Sequence, residues 1–142
     1  MAENSPAKCF IDTNIWLYAF LETQDAQKSQ AANSLVKTER KITISSQVIN
    51  EICINLLRKA AFTEEQLREL ITAFYAKYPV AELTKNVLLK GSELRRAYLF
   101  SFWDSLIVAN ALLSEATRLY SEDMQHGLVV ENRLEIVNPF RA

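Results

Sequence analysis

The sequence predicts an α/β protein that folds as one domain over residues 1–142, with a central, mainly parallel sheet of four to five strands in a three-layer α/β/α arrangement. The chain has 142 residues, a length that suits a single domain. Hydrophobic residues make up 49% of it and charged residues 23%, which is ordinary for a soluble globular protein. Short apolar segments of strand length alternate with longer segments of helical periodicity. This alternation is typical of a parallel sheet that helices cover on both faces.

Five segments have the length and apolar character of strands. The first, Lys8 to Ile11, leads directly into Asp12. Residues 1–7 combine polar residues with a proline, and we expect them to form a flexible N-terminus. The other four predicted strands are Ile42 to Ile44, Val80 to Leu83, Thr117 to Tyr120, and Leu134 to Val137.

Helices are predicted between these strands from capping residues and from the spacing of apolar residues. Thr13 or Asn14 could cap a short helix that runs to Phe20. A helix over Phe102 to Glu115 is strongly apolar. The remaining helices are Gln24 to Thr38, one capped by Ser45-Ser46 that runs to about Ala60, one opened by the capping box Thr63-x-x-Gln66 that ends before Pro79, and one capped by Thr84 that reaches Ala97 or Tyr98.

Four carboxylates stand beside apolar segments, where a charged group is costly. Asp12 and Asp123 follow two of the predicted strands, while Glu51 and Asp104 belong to apolar helices. A buried, unpaired carboxylate costs several kcal/mol, so such groups are usually paired or bind a metal. Because ligands bind beyond the carboxyl ends of parallel strands, we expect the four acids to meet at that edge of the sheet. They would form one site for hard divalent cations, which prefer oxygen ligands.

Several other kinds of site are excluded by residue content. The two glycines, Gly91 and Gly127, are too few and too far apart for a P-loop or a dinucleotide-binding loop. A Ser-His-Asp triad would have to use His126, the only histidine, and no G-x-S-x-G segment is present. We expect His126 to lie in a solvated loop. Cys9 and Cys53 lie in apolar runs and are expected to be buried free thiols. Without a C-x-x-C pair, a structural zinc site is not expected.

A cytoplasmic location is expected from the lack of targeting signals. The first eight residues lack the basic and apolar regions of a signal peptide, and no apolar run approaches the roughly 20 residues of a membrane span. The net charge of −1 does not indicate a nucleic-acid-binding protein, although local basic patches remain possible. Solvated helix ends are the simpler interpretation of any one patch. The candidates are Lys37 with Arg40 and Lys41, Arg58 with Lys59, and Arg95 with Arg96.

The four acids occur in motifs that resemble those of PIN-domain nucleases. The segment Phe10-Ile11-Asp12-Thr13-Asn14-Ile15 resembles the opening motif of that family. Ser46-Gln47-Val48-Ile49-Asn50-Glu51 and Trp103-Asp104-Ser105-Leu106-Ile107-Val108-Ala109 resemble its second and third acidic motifs. Tyr120-Ser121-Glu122-Asp123-Met124-Gln125-His126-Gly127 resembles its fourth, a Ser/Thr-x-Asp element. The order and spacing agree from Lys8 to Phe140, and four motifs in order are far more specific than any one.

The resemblance implies an endoribonuclease that depends on Mg²⁺ or Mn²⁺. The short chain and its ending, Ile136 to Phe140, look most like VapC-type toxins of bacterial toxin–antitoxin pairs. That likeness implies an RNA substrate, a cognate antitoxin as partner, and assembly as a homodimer. It does not imply binding to a membrane. Asn14 and Ser121 are implied as supporting side chains, and the spacing from Ser121 favours Asp123 over Glu122 as the fourth acid. The implied catalytic and metal-binding residues are Asp12, Glu51, Asp104 and Asp123.

Other interpretations stay open at this point. Taken singly, Asp12 could cap a helix, Glu51 could be an exposed helix residue, Asp104 could favour the helix dipole, and Asp123 could be a turn residue. A haloacid-dehalogenase-type phosphatase would need an aspartate where Asn14 stands. A PIN-fold RNA-processing nuclease without an antitoxin, or a catalytically silent binding module, remain alternatives. The aromatic residues Trp16, Tyr18 and Phe20 are expected to belong to the core, or in part to an exposed groove for a partner helix. Trp103, like Trp16 and Phe20, is expected to lie near the site.

Overall fold

The central sheet of the computed structural model, which describes residues 7–21 and 25–141, has six strands in those ranges. Each strand is parallel to its neighbours except the short β5, which pairs antiparallel with β6. The order is β3-β2-β1-β4-β6-β5, so the predicted mainly parallel α/β fold is confirmed, with one strand more than expected. The strands are β1 (Lys8–Ile11), β2 (Lys41–Ser45), β3 (Val80–Ala81), β4 (Arg118–Tyr120), β5 (Val129–Val130) and β6 (Leu134–Val137).

Six helices connect these strands within the described residues. They are α1 (Thr13–Phe20), α2 (Ala26–Thr38), α3 (Ser46–Lys59), α4 (Glu64–Lys77), α5 (Lys85–Ala97) and α6 (Phe102–Leu113). The predicted caps at Ser45 and Thr84 and the capping box of Thr63 with Gln66 are confirmed. None of these helices is both long and apolar enough to cross a membrane, over the part of the chain that is described.

Three predicted boundaries need comment. The cap of α1 is Asp12, and the prediction of Thr13 or Asn14 was wrong because the Asp12 carboxylate itself accepts the backbone N–H of Thr13. Helix α6 ends two residues before the predicted Glu115, which turns the chain with a left-handed φ of 63°. The predicted helix start at Gln24 lies outside the described residues, as does the flexible N-terminus apart from residue 7.

The strand order determines where the helices lie. From β1 the chain moves through β2 to β3 in one direction, and it then crosses back past β1 to β4. Because such crossovers are right-handed, α1 to α4 cover one face of the sheet, and α5 and α6 cover the other. Contacts agree with this division: α1 packs on α2 and α3, α3 packs on α4, and α5 packs on α6. The direction reverses between β1 and β4, so the crevice beyond their carboxyl ends is the expected ligand position.

The core is built on the two central strands. Phe10 and Ile11 of β1 and Leu119 of β4 are fully buried, which explains the continuous apolar runs in these strands. The aromatic ring of Trp16 is buried against Phe74, and its Nε1 donates to the carbonyl oxygen of Ile11 at 3.0 Å. This hydrogen bond fixes α1 directly after the carboxyl end of β1. The two cysteines are buried free thiols, as predicted.

Candidate active site

Asp12 lies at the crevice between β1 and β4, where it both caps α1 and faces the fourth motif. Its Oδ1 accepts the backbone N–H of Thr13 at 2.7 Å, and its Oδ2 accepts the hydroxyl of Ser121 at 3.0 Å. Burial raises the pKa of the half-buried Asp12 to about 6, although these two hydrogen bonds oppose the rise. The helix-cap role considered for Asp12 is therefore real, and it leaves the carboxylate at the predicted edge of the sheet.

Glu51 reaches the same edge from α3. That helix begins at the carboxyl end of β2, because the side chain of Ser45 accepts the backbone N–H of Val48 and starts the helix there. The Oε1 of Glu51 accepts the hydroxyl of Thr13 at 3.1 Å. Burial is the largest cause of the raised pKa of Glu51. From the sequence, Thr13 was considered only as a helix cap, whereas its backbone N–H and its hydroxyl contact two of the four acids.

Asp104 stands in the first turn of α6. The hydroxyl of Ser101 accepts the backbone N–H of Asp104 at 3.1 Å and so fixes the start of this helix. Burial raises the pKa of Asp104 most, and the charge of Asp123 raises it further, while a hydrogen bond with Ser101 opposes both. The negative charge of Asp104 in this first turn also interacts favourably with the dipole of α6. That structural role does not exclude a part in the site.

Asp123 lies in the exposed loop after β4, and the two predicted supporting residues are found in contact with the acids. The Nδ2 of Asn14 donates to Oδ2 of Asp123 at 2.8 Å. Ser121 is fully buried; its hydroxyl donates to Asp12 and accepts the backbone N–H of Met124 at 3.3 Å. Both side chains therefore hold the loop of the fourth motif against the start of α1.

The neighbouring Glu122 is directed elsewhere. Its carboxylate accepts the hydroxyl of Tyr18 at 3.2 Å and forms a salt bridge with Lys28. The ring of Tyr18 in turn packs edge-on against Phe140. Glu122 therefore ties the fourth motif to α1 and α2, and the choice of Asp123 as the fourth acid stays a prediction.

The charges of the four acids act on one another. Besides burial, which has the largest effect, the charge of Asp104 raises the pKa of Asp12 and of Glu51. Over residues 7–21 and 25–141, however, no three Asp, Glu, His or Cys side chains converge tightly enough for a three-ligand metal site. The expectation that all four would meet within metal-bridging distance is thus not met. Like charges repel, and Thr13 and Asn14 hold the carboxylates in separate hydrogen bonds.

The donor set nevertheless fits a hard cation. All four candidate ligands are carboxylates, and the hydroxyls of Thr13 and Ser121 place two further oxygen atoms beside them. Magnesium usually keeps several waters and takes only one or two protein carboxylates. The pKa values of Asp12, Glu51 and Asp104 are all raised chiefly by burial, so a bound cation would compensate a charge that burial makes costly.

A cleft of about 230 Å³ opens beside the acids. Asp104 and Asp123 form part of its wall, together with the apolar side chains of Leu99, Phe100 and Met124. A larger cleft of about 830 Å³ contains none of the four acids. It lies at the amino ends of β1 and β2, and its basic lining residues are Lys8, Lys37, Arg40, Lys41 and Lys77.

The remaining predicted residues are placed as follows. Trp16 belongs to the core, and Phe20 is 42% exposed but stacks on it. Trp103 is 60% exposed and immediately precedes Asp104. His126 is exposed in its loop, where its Nδ1 accepts the backbone N–H of Asn138 at 2.9 Å. Of the three aromatic residues Trp16, Phe20 and Trp103, Trp103 has the most exposed ring, and it adjoins Asp104 in the sequence.

Comparison with known proteins gives a family and a shared fold. A family model described as PIN domain matches residues 9–129. A toxin–antitoxin complex from Klebsiella pneumoniae has a TM-score of 0.72 at 16% identity, covering 95% of this chain and 100% of that one. The toxin VapC20 from Mycobacterium tuberculosis, which cleaves the sarcin-ricin loop, has a TM-score of 0.66 at 18% identity, covering 82% and 90%.

A third similar structure is VapBC2 from Rickettsia felis, bound to a DNA fragment from its promoter. It has a TM-score of 0.61 at 20% identity and covers 92% of this chain and 98% of the other. A search of curated protein sequences gives no match. At these levels of identity the solved structures establish a common fold.

Proposed function

The chain belongs to the PIN-domain family, and we propose that it is a divalent-metal-dependent endoribonuclease and the toxin of a toxin–antitoxin pair. One observation carries the proposal. Asp12, Glu51 and Asp123 lie at one edge of the sheet, at the point where the strand order reverses, and Asp104 lines a cleft with Asp123 there. That is the position at which a sheet of this topology binds its ligand.

The residues of the chain have distinct parts in this proposal. Asp12 and Asp104 would hold Mg²⁺ or Mn²⁺, with Glu51 and Asp123 as further acidic ligands, direct or through water. Such an ion, when bound, supplies positive charge to the attacking and leaving oxygens of a phosphodiester. Thr13 fixes the orientation of the Glu51 carboxylate.

The supporting contacts also contribute. Ser121 donates a hydrogen bond to Asp12, and Asn14 donates one to Asp123. Hydrogen bonds to the ligands of a metal set the orientation and the basicity of those ligands. The apolar wall of the 230 Å³ cleft would exclude water from one side of the bound phosphodiester. This would strengthen the electrostatic interactions of the site.

The proposed partners are a cognate antitoxin and a second copy of the chain. Solved structures that share this fold include a toxin–antitoxin complex and a toxin with its antitoxin on promoter DNA. An arginine of the antitoxin is the side chain best suited to inhibit the site. Its planar guanidinium can pair with two carboxylate oxygens at once, and it would compete with the metal. An enzyme that cleaves cellular RNA would act in the cytoplasm.

The toxin hypothesis is tested by expression and by cleavage of total RNA. Overproduction of the chain alone is expected to arrest growth, and co-expression of a small gene adjacent to its own should restore growth. The purified protein should cut total RNA at defined sites with Mg²⁺ or Mn²⁺, and should cut none in chelator. Cleavage without any growth arrest would instead indicate an RNA-processing nuclease that has no antitoxin. A protein that cuts no RNA under any of these conditions would overturn the proposal.

A further inference from the structure

Large aromatic side chains are exposed at the start of α6. Phe102 is 59% exposed and Trp103 is 60% exposed, and Leu99 in the preceding loop is fully exposed. Exposed rings of this size in a contiguous patch usually mark a surface that binds a partner or a ligand. Neither Phe102 nor Trp103 lines the 230 Å³ cleft, whereas Leu99 and Asp104 do, so the two rings adjoin the cleft without forming its wall.

The backbone holds Trp103 in place next to the acids. The Nε2 of Gln47, a buried residue of α3, donates to the carbonyl oxygen of Trp103 at 3.3 Å. The indole packs edge-on against Phe102, with ring centroids 6.4 Å apart. The backbone of Trp103 is therefore fixed to α3, and its exposed indole adjoins Phe102 one residue from Asp104.

Positive charge accompanies the aromatic rings. The guanidinium of Arg95 lies 3.9 Å from the centroid of the Phe102 ring, and its Nη1 donates to the hydroxyl of Ser105 at 2.6 Å. Arg96 follows it and is exposed. Within the described residues, neither arginine forms a salt bridge with a carboxylate. Arg96 is thus available to phosphate groups, and Arg95, which lies over the Phe102 ring, adds positive charge beside a site that is otherwise acidic.

Aromatic faces with neighbouring arginines are the features by which proteins hold single-stranded nucleic acid. Bases stack on the rings, and the cations attract the backbone phosphates. In a duplex the bases stack on one another and cannot present their faces to a side chain. We infer that Phe102 and Trp103 form a stacking platform for unpaired bases of the RNA substrate beside the phosphodiester that is cut. The inference rests on the proposed function and assigns a binding role to these two side chains.

The intrinsic fluorescence of the protein offers a direct test. The chain has two tryptophans, and Trp16 is buried with only 1% of its surface exposed, so a ligand-induced change reports on Trp103. The wild-type protein in chelator is titrated with a 12-nucleotide single-stranded RNA of mixed sequence, and separately with the same RNA as a perfect duplex. Stacking should quench the emission in a saturable way with the single strand, and much less with the duplex.

Three variants identify the residue responsible, with binding measured by the anisotropy of labelled RNA. Stacking is worth about 1–3 kcal/mol per base, so Trp103→Ala should bind the single strand at least about five-fold more weakly. Trp103→Phe keeps an aromatic face and should stay within about three-fold of the wild type. The matched control is Leu113→Ala, which removes an exposed apolar side chain at the far end of the same helix and should change nothing. All variants should melt at nearly the wild-type temperature.

The outcomes separate this inference from the proposed function. If the wild type cuts RNA with metal but Trp103→Ala binds and cuts as well as the wild type, the platform is wrong and the ribonuclease stands. If RNA quenches Trp103 but no metal supports cleavage, the platform stands and the proposed function is wrong. If Trp103→Ala weakens only the complex with an antitoxin protein, the surface docks a protein and the inference is wrong.

Discussion

At the scale of single residues, the buried charge of Asp12 lowers the stability of the metal-free fold. Burial raises the pKa of its carboxyl group from the ordinary 3.8 to about 6, so the metal-free folded protein holds a proton there more tightly than the unfolded chain does. The stabilising contribution of this group is therefore complete below about pH 4 and is lost as the pH rises through about 6. At neutral pH the charged carboxylate destabilises the fold unless a cation compensates it.

Asp12→Asn tests whether the charged carboxylate destabilises the fold at neutral pH. In chelator at pH 7.5, the variant should be more stable than the wild type by about 1–2 kcal/mol, because one pKa unit corresponds to about 1.4 kcal/mol and the amide can still accept the N–H of Thr13. At pH 5 the gain should shrink, since the wild-type carboxyl group is then mostly protonated. Urea unfolding at the two pH values measures the difference. A variant less stable at pH 7.5 would show that the hydrogen bonds to the charged carboxylate outweigh its burial.

At the scale of elements, the contact between α5 and α6 determines how the third acid is placed. Gly91 of α5 lies so close to α6 that an added Cβ would stand 2.9 Å from Cδ2 of Leu106. It would also stand 3.3 Å from Nη1 of Arg95, in the same helix as Gly91. Leu106 is buried, so its side chain can move only by disturbing the core. The glycine therefore permits the close packing that holds the first turn of α6, with Asp104, against the sheet.

Gly91→Ala is expected to lower the free energy of unfolding by about 1 kcal/mol. Alanine favours a helix by about 1 kcal/mol over glycine, but forcing a methyl group into a packed interface costs about 1–3 kcal/mol. The control is Ser92→Ala, at the adjacent exposed position, which should be neutral or slightly stabilising. If both variants proved equally stabilising in urea unfolding, Leu106 would have room to move and the packing would be looser than described.

The elements also show which features a sequence reveals. Helix starts at Ser45, Thr63 and Thr84 were predicted because a cap is a local interaction between residues three apart. Strand β5 was missed because it has two residues and exists through its antiparallel pairing with β6. The turn between them uses left-handed φ values of 52° at Glu131 and 57° at Asn132, without the Asn-Gly pair that usually marks such a turn.

At the scale of the whole molecule, the common position of the acids could be predicted, but their spacing could not. Parallel topology brings the carboxyl ends of strands to one edge, so Asp12 and Asp123 were predicted to lie there together. The distance between the carboxylates depends on rotamers and on partners such as Thr13, whose hydroxyl binds Glu51 across 38 positions of sequence. Neither the periodicity nor the motif contains that information.

The central claim is that this acidic edge is a metal-dependent ribonuclease centre, and Asp104→Asn tests it most directly. A labelled single-stranded RNA is incubated with wild type, with Asp104→Asn, and with Glu69→Gln, which removes an exposed acid of α4 away from the site. With Mg²⁺ or Mn²⁺ we expect cleavage by the wild type and by Glu69→Gln. The cleavage rate of Asp104→Asn should be at least about 100-fold lower, because replacing a residue that merely hydrogen-bonds to a metal ligand already lowers metal affinity or activity by about 10–100-fold. Its melting temperature in chelator should equal or exceed that of the wild type. Undiminished cleavage by Asp104→Asn, or a loss of activity explained by unfolding, would contradict the account.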